Sequence, residues 1–182
     1  MFDTPLLLAK NEGLTFDQRL AKRVLDLVVS IIALVITSPV MLVIAIAIKA
    51  YDGGPVFFVQ DRCTINGKVF KIHKFRSMIE NAEKDGEVIP ATDDDARITP
   101  VGKIIRKTRL DELPQFFDIL IGNMSVVGPR PERVEHVEKY VEEVPEFTYR
   151  MKVKGGLTGY AQIYGKYNTC LLYTSPSPRD AT

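Results

Sequence analysis

An almost uninterrupted apolar run from Val24 to Ile48 dominates the hydrophobic pattern of the chain. As a straight α-helix, such a run of about 25 residues would reach about 37 Å, which is enough to cross a bilayer. Ser38-Pro39 lies in its middle, where proline removes a helical hydrogen bond and clashes with the preceding turn at a cost of about 3 kcal/mol. The pattern predicts a membrane segment that bends near Ser38, and the run is too long and begins too late for a secretory signal.

Positive charges flank the apolar run, with Lys22 and Arg23 before it and Lys49 after it. Cytoplasmic ends of membrane segments favour such charges. With both ends cytoplasmic, the segment would dip into the membrane and return, so we favour a re-entrant helix-break-helix over residues 19–50, after an N-terminal linker over residues 1–18. The residues alone leave the alternative open, a single-pass helix with a proline kink.

Short β-prone and amphipathic stretches follow the apolar run. Residues 56–62 and 68–76 are β-prone and are joined through Asn66-Gly67, which predicts a hairpin. Further periodic stretches predict helices, and these cover residues 79–85, 102–107, 113–121 and 132–143. The predicted fold class is α+β, in which residues 51–169 form a small domain pressed on the membrane.

The composition indicates one domain in which any electrostatic function depends on local charges. A chain of 182 residues fits one domain. Its 24 Lys and Arg stand against 23 Asp and Glu, and the net charge of +1 gives no field that would attract nucleic acid, so no nucleic-acid partner is expected. The cysteines, Cys63 and Cys170, lack metal-ligand spacing, which favours a reduced cytosolic setting.

Both ends of the chain call for caution. Residues 170–182 match the translation of a transposase adapter used in building sequencing libraries, and we exclude them from fold reasoning as an artefact. The alternative is a genuine Ser/Pro-rich disordered tail. We expect the native protein to continue beyond Thr169, and to begin before Met1.

Adjacent carboxylates at Asp111 and Glu112 follow a basic stretch and precede a predicted helix. Such a frame can keep one carboxylate ionised as a nucleophile while cations or a divalent metal ion neutralise an incoming diphosphate. A simpler alternative is that Asp111 caps the helix, with Pro114 in its first turn.

Candidate anion ligands lie on both sides of this dyad. Gly128-Pro129-Arg130-Pro131 is a rigid turn that aims one guanidinium, a group suited to binding phosphate, although it could equally be a solvated loop arginine. Lys74 and Arg76 alternate along a predicted strand and would face the same side, where they could join that anion site or contact anionic lipid.

Other polar residues have structural interpretations. His73 and His136 lack partners at ligand spacing, so a zinc site is not expected. Cys63 has no neighbour that would make it a nucleophile. Asp26, at the start of the apolar run, is interpreted as a charge that pairs locally with Lys22 or Arg23.

The order of motifs resembles the monotopic phosphoglycosyl transferases, the bacterial sugar transferase family of exopolysaccharide and glycoconjugate synthesis. The resemblance covers residues 19–168, and the motifs that carry it are Lys22-Arg23 with Asp26, Ser38-Pro39, Gly54-Pro55-Val56-Phe57-Phe58, Lys74-Phe75-Arg76-Ser77-Met78, Leu110-Asp111-Glu112-Leu113-Pro114-Gln115, Gly128-Pro129-Arg130-Pro131 and Gly156-Leu157-Thr158-Gly159-Tyr160-Ala161-Gln162. No single motif is decisive, but the ordered set is specific.

The resemblance implies a re-entrant segment broken at Ser38-Pro39 and an enzyme at the inner membrane that faces the cytoplasm. It implies that Asp111 attacks the β-phosphate of a UDP-sugar, releasing UMP, and that polyprenyl phosphate then takes the phosphosugar. Glu112 would assist with metal or proton transfer, Mg²⁺ would lie at Asp111 and Glu112, and Arg130 would hold a phosphate. Pro129, Lys74, Arg76 and Gln162 complete the expected substrate site. Membrane lipids are expected partners, and a homo-oligomer is compatible with the sequence.

Two motifs depart from the family pattern, and two other hypotheses stay open. Gly122-Asn123-Met124-Ser125 replaces the usual Gly-Asp-Met-Ser, and Lys154-Gly155-Gly156 replaces Lys-Pro-Gly. Family members also continue past residues 164–166 with further helices, so activity of a truncated chain is in doubt. The chief alternative is a non-catalytic, membrane-anchored adaptor; another is direct attack by the lipid phosphate without a covalent step.

Overall fold

The computed structural model describes residues 15–80, 82, 95–159 and 162–163. The described helices are α1 (Phe16–Asp52), α2 (Pro100–Lys107), α3 (Gln115–Leu120) and α4 (Val134–Glu143). The described strands are β1 (Phe57–Cys63), β2 (Val69–Phe75), β3 (Ser125–Val127) and β4 (Gly156–Thr158). Three 3₁₀ turns lie between them, at Ile65–Gly67, Leu110–Glu112 and Pro145–Lys152. Helix and strand are mixed, as the α+β prediction requires.

Helix α1 is defined by its caps and by its apolar length. Thr15 and Gln18 form a capping box at its start, and Gly53, in the left-handed conformation with φ 72°, ends it. Its mean hydropathy reaches 2.9, so by length and composition it can cross a membrane, which indicates membrane association.

Helix α1 runs through Ser38 and Pro39 without an interruption, whereas the sequence predicts a helix, a break and a second helix. Proline removes one hydrogen bond, and nearby hydroxyls can satisfy the backbone groups that this leaves. Thr37 Oγ1 donates to the carbonyl of Ala33 at 2.7 Å, and Ser38 Oγ donates to the carbonyl of Val35 at 2.9 Å. These bonds keep the segment helical across the proline.

Both ends of α1 dock on the rest of the fold, and its middle does not. Near the start, Arg23 donates to the carbonyls of Ile119 and Leu120, each at 2.7 Å. Near the end, Ile44 and Ile48 pack with Phe75 and Ile105 in one core cluster. Between these contacts most of the apolar side chains are exposed, including Ile31, Ile32, Val35 and Ile36. The exposed stretch is the part of the molecule that suits a bilayer.

The predicted hairpin is confirmed. Strands β1 and β2 pair antiparallel, with Phe57 opposite Phe75 and Cys63 opposite Val69. Asn66 and Gly67 both have positive φ, 57° and 71°, as a tight connection of this kind demands. The inner face of β2 supplies Phe70 and Ile72 to a second core cluster with Ile119 and Met124 from the α3 region.

A parallel pair of three-residue strands, β3 and β4, was not predicted. Ser125 pairs with Gly156, and Val127 pairs with Thr158. The predicted helices over 102–107, 113–121 and 132–143 correspond to α2, α3 and α4. Most of the predicted helix over 79–85 lies outside the described residues, as do residues 1–14 and the suspected adapter over 170–182.

Candidate active site

Glu112 is the centre of a charged cluster drawn from three separate parts of the chain. It lies in the 3₁₀ turn between α2 and α3, while Lys74 comes from β2 and Arg130 from the turn after β3. Oε1 of Glu112 accepts hydrogen bonds from Nζ of Lys74 and Nη2 of Arg130, each at 2.9 Å. The structure therefore brings together three of the residues predicted from sequence.

The two cations determine the ionisation of Glu112, which is 7% exposed. Burial raises the pKa of this carboxyl, but the charges and hydrogen bonds of Lys74 and Arg130 outweigh burial and lower its pKa to about 2. Burial also lowers the pKa of Lys74, an effect that Glu112 opposes and Arg130 reinforces. Glu112 is thus ionised at neutral pH and anchors two cations, and the cluster of these three residues carries excess positive charge.

Asp111 lies beside this cluster and is half-buried. Burial raises the pKa of Asp111, with a further contribution from Glu112, while Lys74 and Arg106 act in the opposite direction. Asp111 does not cap α3, because Pro114 occupies the N-cap position and no side chain caps the helix. The helix-cap alternative is therefore wrong, and the carboxylate is left for another role.

The backbone before the dyad is held in a sparsely populated conformation. Arg109, between α2 and the 3₁₀ turn, has φ 57° and ψ 20°. A left-handed residue other than glycine costs about 1–2 kcal/mol, and such strained residues are found in tight turns and cluster at functional sites. Here it turns the chain sharply at the entrance to Leu110–Glu112.

Glu112 also lines an open cleft with a volume of about 420 Å³. Its lining combines apolar with polar side chains: Arg109, Glu112, Leu113, Phe116, Leu157, Thr158 and Gln162. Gln162, another predicted site residue, is held there because its Nε2 donates to the carbonyl of Leu157 at 3.2 Å. A cleft of this size and mixed character is typical of small-molecule sites.

Arg76 lies apart from the Glu112 cluster, although the alternation along the strand predicted that it would share a site with Lys74. It is 6% exposed and pairs with Asp52 at the end of α1. The reason is that Asp52, the last residue of α1, lies beside the end of β2 and forms an ion pair with Arg76. Lys74 instead forms its ion pair with Glu112. Pro129 has a structural contact, since its carbonyl accepts from the backbone N–H of Gly156 at 2.8 Å.

Two buried carboxylates had no predicted partner across the fold. Asp118, which is fully buried, accepts the backbone N–H of His73 at 2.9 Å and lies 2.7 Å from Nδ1 of the same residue. Asp26 accepts the backbone N–H of Val126 at 2.9 Å, in addition to its local pairing with Lys22 at 3.9 Å. The sequence signal for these contacts was a carboxylate among the apolar positions of a helix, Asp118 in α3 and Asp26 in α1. A buried carboxylate requires a hydrogen-bond or charged partner, so each position implied a contact across the fold.

Comparison with known proteins places this geometry in a family context. The chain is 48% identical over 165 residues to a Klebsiella pneumoniae protein named UDP-glucose:undecaprenyl-phosphate glucose-1-phosphate transferase, covering 91% of this chain and 34% of that protein. It is 46% identical over 146 residues to an Aeromonas hydrophila protein named UDP-N-acetylgalactosamine-undecaprenyl-phosphate N-acetylgalactosaminephosphotransferase, covering 80% of this chain and 34% of that protein. The chain thus spans about a third of the length of these two relatives.

A shorter relative matches over more of its own length. The Bacillus subtilis protein named putative undecaprenyl-phosphate N-acetylgalactosaminyl 1-phosphate transferase is 46% identical over 130 residues, which cover 71% of this chain and 72% of that protein. Residues 17–176 match the family described as bacterial sugar transferase. Because this match includes α1, the hairpin and the Glu112 cluster together, the chain belongs to the bacterial sugar transferase family.

Proposed function

We propose that this domain transfers a sugar-1-phosphate from a UDP-sugar to polyprenyl (undecaprenyl) phosphate and releases UMP. The observation that carries the proposal is Asp111, half-buried and uncommitted to a helix cap, beside a carboxylate that holds two cations at the wall of an open cleft. Membership of the family and the names of the relatives supply the substrate class.

In the first step, a carboxylate oxygen of Asp111 attacks the β-phosphorus of the UDP-sugar. The bond from that phosphorus to the bridging oxygen breaks, UMP leaves with the electron pair, and an aspartyl-phosphosugar forms. In the second step an oxygen of polyprenyl phosphate attacks the same phosphorus, which frees Asp111 and yields a polyprenyl diphosphate sugar. The first step requires an ionised Asp111. Burial raises the pKa of Asp111, and the positive charges of Lys74 and Arg106 limit that rise and so favour the ionised form.

Arg130 and Lys74 supply the positive charge that an incoming diphosphate needs. Arg130 is 32% exposed on its side chain, so part of its guanidinium can reach a ligand while Glu112 holds another part. Lys74, at 18%, is more enclosed and acts mainly through its charge. Gln162 lines the cleft in which the rest of the donor would lie.

Magnesium is part of the proposal with Asp111 and Glu112 as its protein ligands. Mg²⁺ is commonly held by one or two carboxylates together with substrate phosphates, which this pair can provide. Asp111 fits better, because Oε1 of Glu112 already accepts from two cations. Among the described residues no group of three His, Cys, Asp or Glu side chains is placed to hold a metal ion. When bound, Mg²⁺ would offset the charge of the diphosphate.

We further propose that residues 19–50 enter the membrane and return, so that the domain works at the cytoplasmic face of the inner membrane. In a straight helix, Arg23 and Ile44 would be about 32 Å apart. Both nevertheless contact the same small domain, while most of the apolar side chains between them are exposed. A bend near Ser38-Pro39 within the continuous helix would account for this pattern, and it would bring a soluble donor and a lipid acceptor to one site.

The test is Asp111→Asn at the native length of the protein, with Asp61→Asn, an exposed position on β1, as the matched control. UMP release would be measured with polyprenyl phosphate and a panel of UDP-sugars that includes UDP-glucose and UDP-N-acetylgalactosamine. We expect Asp111→Asn to lose UMP release while it still binds membranes. The Asp61→Asn control should keep both UMP release and membrane binding. Intact protein mass spectrometry of the wild type with donor alone should show a phosphosugar on Asp111.

Other outcomes would favour the remaining hypotheses. Full turnover in Asp111→Asn would refute the mechanism. Turnover without an adduct would favour direct attack by the lipid phosphate. If the wild type binds membranes but releases no UMP from any donor, the adaptor hypothesis holds.

A further inference from the structure

The turn that carries Arg130 is fastened at every residue from Gly128 to Glu132. Its contacts come from three parts of the chain, which are β1, the 3₁₀ turn at Pro145–Lys152 and β4: Gly128 N to Thr158 O at 2.9 Å, Gly156 N to Pro129 O at 2.8 Å, Arg150 Nη2 to Arg130 O at 2.7 Å, Arg62 Nη1 to Pro131 O at 3.2 Å, and Cys63 N to Glu132 O at 2.9 Å. Three of these are ordinary backbone bonds. The other two are made by guanidinium groups.

The sequence of the turn explains why side chains are needed there. The peptide unit between Arg130 and Pro131 has no N–H, because proline lacks one. Its carbonyl is therefore the only group through which hydrogen bonding can fix the orientation of this unit. Arg150 uses that carbonyl, and Arg62 uses the next one along the chain.

These two arginines are held in the fold at an electrostatic cost. The side chain of Arg150 is 10% exposed, and its guanidinium lies 4.6 Å from the centre of the Phe147 ring. Burial lowers the pKa of Arg150 and lowers that of Arg62 to about 10, with Glu132 as the main opposing charge. Charge-assisted bonds are shorter and stronger than neutral ones, which suits a contact that must hold a turn in one orientation.

We infer that Arg150, assisted by Arg62, is a positioning residue that aims Arg130 at Glu112 by holding the carbonyls of Arg130 and Pro131. Neither arginine needs to touch the substrate. Each acts through Arg130, whose guanidinium must stay on Glu112 while part of it remains exposed. The kinetic part of the test rests on the proposed function.

The kinetic test is a cycle of four proteins at native length: wild type, Arg150→Met, Arg130→Met and the double variant. In the wild-type background, Arg150→Met should lower kcat by about 10- to 100-fold, the size expected when a catalytic group is misplaced by about an ångström. In the Arg130→Met background the same change should lower kcat by less than about twofold. Arg150→Lys, which can still donate to the carbonyl, should recover part of the loss.

Equal losses of kcat in both backgrounds would overturn the inference, because Arg150 would then act independently of Arg130. Lys152→Met is the matched control, since Lys152 is exposed in the same 3₁₀ turn and lies over the ring of Tyr149 at 4.3 Å. It should leave kcat unchanged.

Hydrogen–deuterium exchange provides a measurement that does not depend on turnover. Arg150→Met and Arg62→Met should speed exchange in the peptide that contains residues 128–132 while α2 and β2 keep their protection, and Lys152→Met should not. Unchanged exchange at the turn in Arg150→Met would refute the positioning role even if the proposed function fails. A wild type that shows the exchange pattern but no transfer would refute the proposed function alone.

Discussion

Asp118 makes two contacts with His73: its Oδ2 accepts the backbone N–H at 2.9 Å, and its Oδ1 lies 2.7 Å from the ring nitrogen Nδ1. This fastens β2 to α3, so the strand that carries Lys74 is tied to the helix that follows Asp111 and Glu112. The carboxylate is fully buried, whereas the histidine side chain is 40% exposed. The pair therefore links stability to pH at a point close to the site but outside it.

Replacing His73 with phenylalanine should destabilise the fold in a pH-dependent way. Burial raises the pKa of Asp118, and the hydrogen bonds of His73 oppose that rise. Loss of the hydrogen bond to the His73 ring raises the pKa of Asp118 further. At neutral pH, where Asp118 is ionised, this lowers the free energy of unfolding by about 1.5–3 kcal/mol. The deficit should shrink as the pH falls through the raised pKa and be smallest below about pH 4, where the unfolded chain is also protonated.

Urea unfolding followed by circular dichroism between pH 4 and 8 measures this. His136→Phe is the control, because His136 packs near Tyr140, with ring centres 5.7 Å apart, and has no buried carboxylate partner in the described part of the chain. A deficit in His73→Phe that is constant with pH would show that packing, not Asp118, explains the loss.

Lys74→Met should destabilise the domain more than a lysine change elsewhere on the same strand. The substitution leaves buried Glu112 with Arg130 as its hydrogen-bonded cation, so a charge-assisted bond is lost in an enclosed site. We expect a loss of about 1–3 kcal/mol at pH 7 in urea unfolding. The exposed Lys71→Met should change stability by less than about 0.5 kcal/mol. Equal effects would mean that the ion pair adds nothing.

The local features of the fold were predictable because their causes are local. Asn66-Gly67 identifies a tight hairpin connection from two residues, and the periodic stretch over residues 102–107 identifies α2. The contacts of the site are not local. Nothing near Asp118 in sequence points to His73, and β3 and β4 are too short for a hydrophobic alternation to be visible.

Arg76 shows how a correct local rule can mislead. Alternation along a strand predicts that Arg76 and Lys74 share a face. In the structure, however, Arg76 pairs with Asp52 and Lys74 pairs with Glu112, so the two side chains belong to different sites. Which carboxylate lies beside which cation depends on how α1 packs on the hairpin. That information is tertiary, and a single sequence does not display it.

Gly156→Ala should disrupt the β3–β4 pair and release the turn that carries Arg130. An added Cβ would lie 2.1 Å from the backbone nitrogen of Gly128, an approach that backbone atoms cannot relieve by rotating away. We expect a loss of about 3 kcal/mol or more, with loss of transferase activity. Thermal unfolding and UMP release measure the two effects.

Gly67→Ala is the comparison for this variant. Gly67 has φ +71°, but its added Cβ would meet nothing within 4 Å. The cost should be the conformational strain alone, about 1–2 kcal/mol, and activity should persist. If Gly156→Ala behaves like Gly67→Ala, the close packing of Gly128 and Gly156 does not matter to the site.

The exposed side chains at both ends of α1 allow the re-entrant topology to be tested. Gln18→Cys and Tyr51→Cys, each in a background without Cys63 and Cys170, place single thiols before and after the apolar run. A membrane-impermeant maleimide should label both positions from the cytoplasmic side of oriented vesicles. Labelling from opposite sides would establish a spanning helix.

The proposed bend should depend on Pro39, because its missing N–H leaves one hydrogen bond of the helical ladder unmade. With Pro39→Ala the apolar run can form a straight helix of about 37 Å, long enough to span the bilayer. We therefore expect the double variants Pro39→Ala/Gln18→Cys and Pro39→Ala/Tyr51→Cys to be labelled from opposite sides in a measurable fraction of molecules. Val40→Ala, the neighbouring exposed position, should keep both thiols on the cytoplasmic side. If Pro39→Ala also keeps them there, then the docking of Arg23 and Ile44 on the domain, rather than the proline, holds the segment in its re-entrant form.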